Sequence, residues 1–167
     1  MPLSEVPAFF HTGAEFTRPA DTTAYAAGDV VGNSTSALTL IELTFASLAA
    51  GRGGLVVNAY LAKDGTTVTN AQFRVHLYSY ASATVPGQDN AGHGVKYANA
   101  PYAIGYIDFP AMSVGTGTNT GARAILQNLN LAYHCEATSL FYTVEALAAY
   151  TPASGEKFRL DLELLRD

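Results

Sequence analysis

Lys157-Phe158-Arg159-Leu160-Asp161-Leu162-Glu163-Leu164 alternates charged and apolar residues without a break. A period of two puts Phe158, Leu160, Leu162 and Leu164 on one face of a β-strand and the charged side chains on the other. The same pattern returns upstream. Gln72 to Tyr80 sends Phe73, Val75 and Leu77 inward and Arg74, His76 and Tyr78 outward, and Thr138 to Tyr150 is long enough for a further strand. Leu55 to Ala62 is too uniformly apolar to lie half exposed, and weaker strands fall at Ala103 to Phe109 and Ala122 to Leu129. Ala37 to Leu48 also reads as a strand. Its phase slips between Leu40 and Ile41, as one extra residue in a β-bulge would cause.

Between these runs the chain turns at Gly51-Arg52-Gly53-Gly54, Lys63-Asp64-Gly65 and Pro152-Ala153-Ser154-Gly155. No helical periodicity of useful length intervenes. The expected fold class is all-β: an antiparallel two-sheet sandwich, which with about eight strands in two Greek keys is a jelly roll. No internal repeat argues for a propeller or solenoid. The length of 167 residues suits one domain. Within it, Pro2, Pro7 and Pro19 interrupt the beginning. Residues 1–33 are therefore expected to form an irregular N-terminal arm with one short strand near Tyr25 to Val31, and residues 34–167 the sandwich.

Hydrophobic residues make up 49% of the chain, which excludes disorder, but charged residues only 14%. An ordinary soluble domain carries about 25%. Two readings of that deficit stand: a surface covered by other subunits, or a neutral surface of Thr, Ser, Asn and Gly. A net charge of −5, with three lysines and six scattered arginines, argues against nucleic acid as a partner. No apolar run approaches a membrane span, and the first residues lack the basic start and apolar centre of a signal peptide, so folding in the cytosol of the producing cell is expected. Charge is also unevenly placed. Tyr97 to Cys135 contains only Asp108 and Arg123, while Glu156 to Asp167 holds seven charges in twelve residues. Tyr102, Tyr106, Phe109 and Met112 lie in the poor segment and are candidate interface residues, aromatics and Met being enriched where subunits meet. The alternative is that the segment supplies core strands and uncharged loops.

Catalytic and metal patterns are absent from the linear sequence. Of His11, His76, His93 and His134, none has a second histidine at ligand spacing. His134-Cys135-Glu136 cannot converge on one ion, because adjacent strand residues face opposite sides; His134 is expected outward and Cys135 inward. His93, between two glycines and near Asp89, is the one histidine placed to act as a base, but no nucleophile accompanies it. Gly115 to Gly121 lacks the Lys and the following helix of a phosphate loop. The expectation is a chain that is not an enzyme, with no catalytic residue, no metal and no cofactor.

Two end segments add a resemblance. Thr17-Arg18-Pro19-Ala20-Asp21-Thr22-Thr23-Ala24-Tyr25-Ala26-Ala27-Gly28-Asp29-Val30-Val31-Gly32 and Leu147-Ala148-Ala149-Tyr150-Thr151-Pro152-Ala153-Ser154-Gly155-Glu156 resemble segments of virion structural proteins of tailed bacteriophages. That family includes head decoration (cement) proteins. The resemblance implies a jelly-roll body, frequently a homotrimer, on the capsid exterior, whose partners are the major capsid protein and its own copies. The sequence alone gives Pro19, Tyr25 and Gly28-Asp29 a purely structural reading as well, as an extended segment, a packed ring and a turn. The expected function is capsid decoration that bridges capsomers, with Phe9, Phe10 and Phe16 anchoring an arm, Met1 to Thr17, that reaches across the shell or exchanges between subunits; the other reading of the arm is that it tucks against its own sandwich. The alternative is a receptor- or carbohydrate-binding module of a phage tail or fibre.

Overall fold

A computed structural model of the chain describes residues 8–44, 51–81, 87–95, 97–117 and 121–166. Its strands, in chain order, are β1 (Ala8–Thr17), β2 (Val30–Val31), β3 (Ile41–Thr44), β4 (Gly53–Lys63), β5 (Phe73–Tyr78), β6 (Ala103–Phe109), β7 (Ser113–Val114), β8 (Ala122–Leu126), β9 (Leu131–His134), β10 (Ser139–Ala146) and β11 (Lys157–Arg166), with one 3-10 turn at Tyr97–Tyr102 before β6. The strands pair antiparallel in two sheets. One runs β1-β11-β4-β8-β7, with β9 also on β4; the other runs β2-β10-β5-β6, with β3 also on β10. With β2 and β3 taken as one split strand, β8 and β9 as another, and the short β7 set aside, the two sheets read 1-8-3-6 and 2-7-4-5. That is the winding of a jelly roll.

The alternation of β11 works as its sequence requires. Phe158, Leu160, Leu162 and Leu164 are fully buried between the sheets, each worth about 1.5–3 kcal/mol of burial. Aromatic rings carry the core from one sheet to the other. Phe16 stacks on Phe158 at 5.7 Å, Phe158 meets Phe73 edge-on at 5.2 Å, and Phe73 meets Tyr150 in the same way at 5.2 Å.

The N-terminal expectation is corrected here. Residues 8–17 are not an irregular arm but a ten-residue edge strand, paired along β11 from Ala8↔Arg166 to Thr17↔Lys157. Pro7 and Pro19 flank this strand rather than break it. Its inward set, Phe10, Thr12, Ala14 and Phe16, lies opposite Leu164, Leu162, Leu160 and Phe158, and two of those four are too small or too polar to show as a hydrophobic alternation. Thr12 pays for its burial by donating to the Thr44 carbonyl at 2.9 Å. With β1 in the first sheet and β2 in the second, no separate arm ends at residue 33; residues 1–7 lie outside the described residues.

The strand expected at residues 37–48 is also shorter. Only Ile41–Thr44 pairs, with β10, and 45–48 lie outside the described residues. Ser34 accepts from the Ser36 and Ala37 amides, holding the approach as a loop. The phase slip thus marks the loop's end and not a bulge. The register breaks fall elsewhere, opposite Glu163/Leu164 in β4 and at Leu77/Tyr78 against β6. Gly105 sits beside the second with φ +154°, a value that side chains rarely tolerate.

At one end of the sandwich the two segments 17–32 and 147–156 close on each other. Tyr25 and Tyr150 pair through their backbones and stack their rings 6.4 Å apart at 7°. Behind each ring is a buried ion pair. Arg18 Nε donates to the Tyr25 hydroxyl, Tyr25 donates to Asp89 at 2.5 Å, and Arg18 Nη2 reaches Asp89 at 3.0 Å. On the other side Lys63 donates to Glu156 at 2.7 Å and to Tyr150 at 2.8 Å, and Tyr150 donates to Glu156 at 2.5 Å. Asp89 also accepts the Gly32 amide at 2.7 Å, so this network ties down the loop 87–95 that shapes the site below.

Candidate functional site

The polar face of β5 and β10 forms the most concentrated chemistry among the described residues. In their register Arg74 lies opposite Glu145 and His76 opposite Thr143, while β6 sets Asp108 beside Arg74 and Tyr106 beside His76. Arg74 forks onto Asp108 at 2.6 and 2.8 Å and lays its guanidinium 4.0 Å from the centre of the Tyr106 ring. That bidentate contact holds the Asp108 carboxyl below its usual range. His76 Nε2 meets Glu145 Oε2 at 2.6 Å.

Loop 87–95 brings the remaining member. Backbone bonds from Val30 to Ala91, from Asn90 to Val30 and from His93 to Gly28 dock it along β2. This places the His93 ring 3.8 Å from that of His76, at 13°, as a stacked pair. His93 Nε2 has only long contacts, 3.3 Å to the Tyr78 hydroxyl and 3.5 Å to Thr143 Oγ1. Burial lowers the pKa of both rings, and for His93 the neighbouring His76 adds to it, giving about 4. His93 is thus neutral near pH 7, with a lone pair available. His76, His93 and Glu145 each offer a ligand atom, and all three atoms lie within 4.8 Å of one another.

This constellation was not read from the sequence. His76 was assigned to an exposed polar face with no special role, and His93 was paired with Asp89. Asp89 instead turns inward to Arg18 and Tyr25, and His93 covers His76. The missed signal was long-range: residues of one parity on two antiparallel strands, 74/76/78 and 143/145, facing a Gly-flanked histidine.

Other expectations resolve plainly. His134 is exposed against Glu136 at 3.1 Å, and Cys135 is fully buried, its thiol pushed up to about 11 by that burial. Of the candidate interface residues, Phe16, Phe109 and Met112 are core side chains. Phe16 is held between Phe158 and Tyr142, and Phe109 lies in strand register with Phe73, so neither is available to a partner. Phe10 is half-buried under Arg166, and Tyr102 is half-buried beside Tyr80. Phe9 and Tyr106 are exposed, at 71% and 55%.

No family model and no curated protein matches the chain. Among solved structures it is similar to the cyanophage Pam1 capsid asymmetric unit, at 11% identity and TM-score 0.34, over 99% of this chain and 89% of that one. It is also similar to the K1 cleaved adhesin domain of Lys-gingipain from Porphyromonas gingivalis W83, at 12% identity and TM-score 0.37, over 93% and 97%. A third similar structure holds the CBM22-1 and GH10 modules of a Clostridium thermocellum xylanase, at 12% and 0.34, over 92% of this chain and 26% of that one. Likenesses this distant carry nothing about what the chain binds. No helix among the described residues is long and apolar enough to cross a membrane.

Proposed function

We propose that this chain is a structural virion protein of the capsid-decoration type, attaching to the major capsid protein and to its own copies through one uncharged flank. The observation that carries the reading is where the charge-poor segment lies. Residues Tyr97 to Cys135 supply β6 at the edge of one sheet and β7, β8 and β9 on the other, and β6 contacts β8 and β9 across the sandwich. Along this segment Tyr97, Val114 and Ile125 are exposed, Tyr97 by 96%. Asp108 is already neutralised by Arg74, which leaves Arg123, with no ion pair among the described residues, as the segment's other charge to desolvate on docking. Apolar, charge-depleted surface of this kind suits the centre of an interface. The resemblance of the two end segments to phage virion proteins favours the same reading, although their packing through Tyr25 and Tyr150 serves the fold itself.

A glycan-binding reading is less favoured by the geometry. Tyr106, an exposed ring on the polar sheet face, has Arg74 over one side and His76 beside it, which narrows the surface on which a sugar could stack there, while Tyr97 keeps an open ring.

The test is quantitative mass spectrometry of purified particles, with Tyr97→Asp and Ile125→Asp as variants. The wild-type chain is expected in the particles at fixed stoichiometry, and each variant is expected to lose affinity by about tenfold or more with an unchanged melting temperature. Absence from the particles, or full retention of both variants, overturns the proposal. Saturable binding to a glycan array without affinity for particles would favour the alternative module.

A further inference from the structure

We propose that His76, His93 and Glu145 form a binding site for a zinc-class divalent ion, which clamps loop 87–95 onto the polar face of the second sheet. Three separate elements (β5, the loop and β10) deliver one donor each to a half-buried place. Two imidazoles and one carboxylate, with a fourth position open to solvent, are a common zinc donor set. Imidazole favours zinc and its neighbours over magnesium and calcium, which take oxygen ligands.

The arrangement without metal is poorly resolved as a hydrogen-bond network. Among the described residues, His93 Nε2 reaches no partner closer than 3.3 Å, and the side-chain hydrogen bond of Glu145 goes to His76. Long contacts of this kind leave His93 Nε2 weakly bonded, and an ion would give it a stronger partner. The local charge also permits it. Arg74 is the nearby cation, but its forked contact with Asp108 leaves that pair neutral, so an incoming ion meets the single carboxylate of Glu145. Donors around a tetrahedral ion at about 2.0–2.1 Å sit roughly 3.4 Å apart. Fitting the three donors around an ion therefore opens the His76–Glu145 contact from 2.6 Å and brings the remaining donor in from within 4.8 Å. On binding, the His76 proton now shared with Glu145 moves to the other ring nitrogen or to solvent, and Nε2 becomes the ligand.

The experiment uses the full chain without a polyhistidine tag, stripped with a chelator and titrated with Zn²⁺ by calorimetry and with Co²⁺ by visible absorption. The expected result is one equivalent bound at micromolar Kd or tighter, a Co²⁺ ligand-field band, and a melting temperature raised by roughly 5–10 °C at 100-fold excess over Kd. His93→Ala and the isosteric Glu145→Gln should each weaken binding by about tenfold or more, with circular dichroism confirming the fold of both. His134→Ala, which removes the exposed His134–Glu136 pair, should leave binding unchanged. No saturable single site in the wild-type chain overturns the proposal, and so does a loss of binding in His134→Ala with none in Glu145→Gln.

Discussion

The same chemistry occurs in two media in this molecule. On the outer face of β11, Arg159 forks onto Asp161 at 2.7 Å and Lys157 reaches Glu15 at 3.4 Å, with Arg159, Lys157 and Glu15 each about half exposed to water. At the closed end of the sandwich, Arg18–Asp89 and Lys63–Glu156 are ion pairs of similar length whose side chains are almost entirely excluded from solvent. The first set keeps a strand soluble. The second sits where taking an ion out of water is expensive, and it is tolerable only because a tyrosine hydroxyl and backbone groups complete each pair. The difference shows where the fold is specified by polar groups and where it is only decorated by them.

The largest effect should come from breaking one partner of a buried pair. Glu156→Gln removes the anion that faces Lys63 and leaves the ammonium with the Tyr150 hydroxyl and the Gly65 carbonyl. The expected loss is about 3–5 kcal/mol, the usual penalty for an uncompensated buried charge, read from urea denaturation midpoints at unchanged slope. The double replacement of Lys63→Met with Glu156→Leu should recover most of it, because neither ion is then buried. A loss below about 1 kcal/mol in Glu156→Gln would place the buried end on the same footing as the exposed face.

A smaller effect separates the two buried pairs from each other. Tyr25→Phe keeps the ring stacked on Tyr150 but deletes the hydroxyl that accepts from Arg18 and donates to Asp89. Tyr150→Phe makes the matching deletion at Lys63 and Glu156. Each should lower stability by about 1–3 kcal/mol, the range for leaving a buried polar partner unsatisfied. The Tyr25 variant should in addition speed amide exchange in residues 87–95, since Asp89 belongs to that loop. Equal exchange in both variants would separate loop docking from the Arg18 network.

These two regions were not equally legible in the sequence. The β11 face could be read outright, because Phe158 to Leu164 carries its own period and needs no information from elsewhere. β5 was legible for the same reason, whereas β6 showed only weakly and β10 by the length of its run; with them came the two-sheet class. β1 was hidden because Thr12 and Ala14 occupy inward positions and prolines stand on both flanks. The buried pairs and the histidine stack were hidden for a different reason. Arg18 finds Asp89 across 71 residues, Lys63 finds Glu156 across 93, and His76 finds Glu145 across 69. No local spacing records such contacts. They follow only from the strand register, which the jelly-roll winding sets. The same holds for Phe16, Phe109 and Met112, whose residue types suit either a core or an interface until the register decides.

The smallest effect belongs to the exposed face, and it tests the comparison from the other side. Arg159 is about half exposed and its partner Asp161 is only 17% exposed, so the pair has good forked geometry but a hydrated cation. Asp161 also lies 3.5 Å from His11 Nε2, a polar neighbour that persists when Arg159 is removed. Arg159→Ala should therefore shift stability by no more than about 0.5 kcal/mol, with the residual difference vanishing in 1 M salt, where the screening length is about 3 Å. A shift of several kcal/mol, insensitive to salt, would mean that the aliphatic stem of Arg159 packs as structure on the β1–β11 face. The contrast between a buried end that specifies and an exposed face that decorates would then rest on burial of carbon and not of charge.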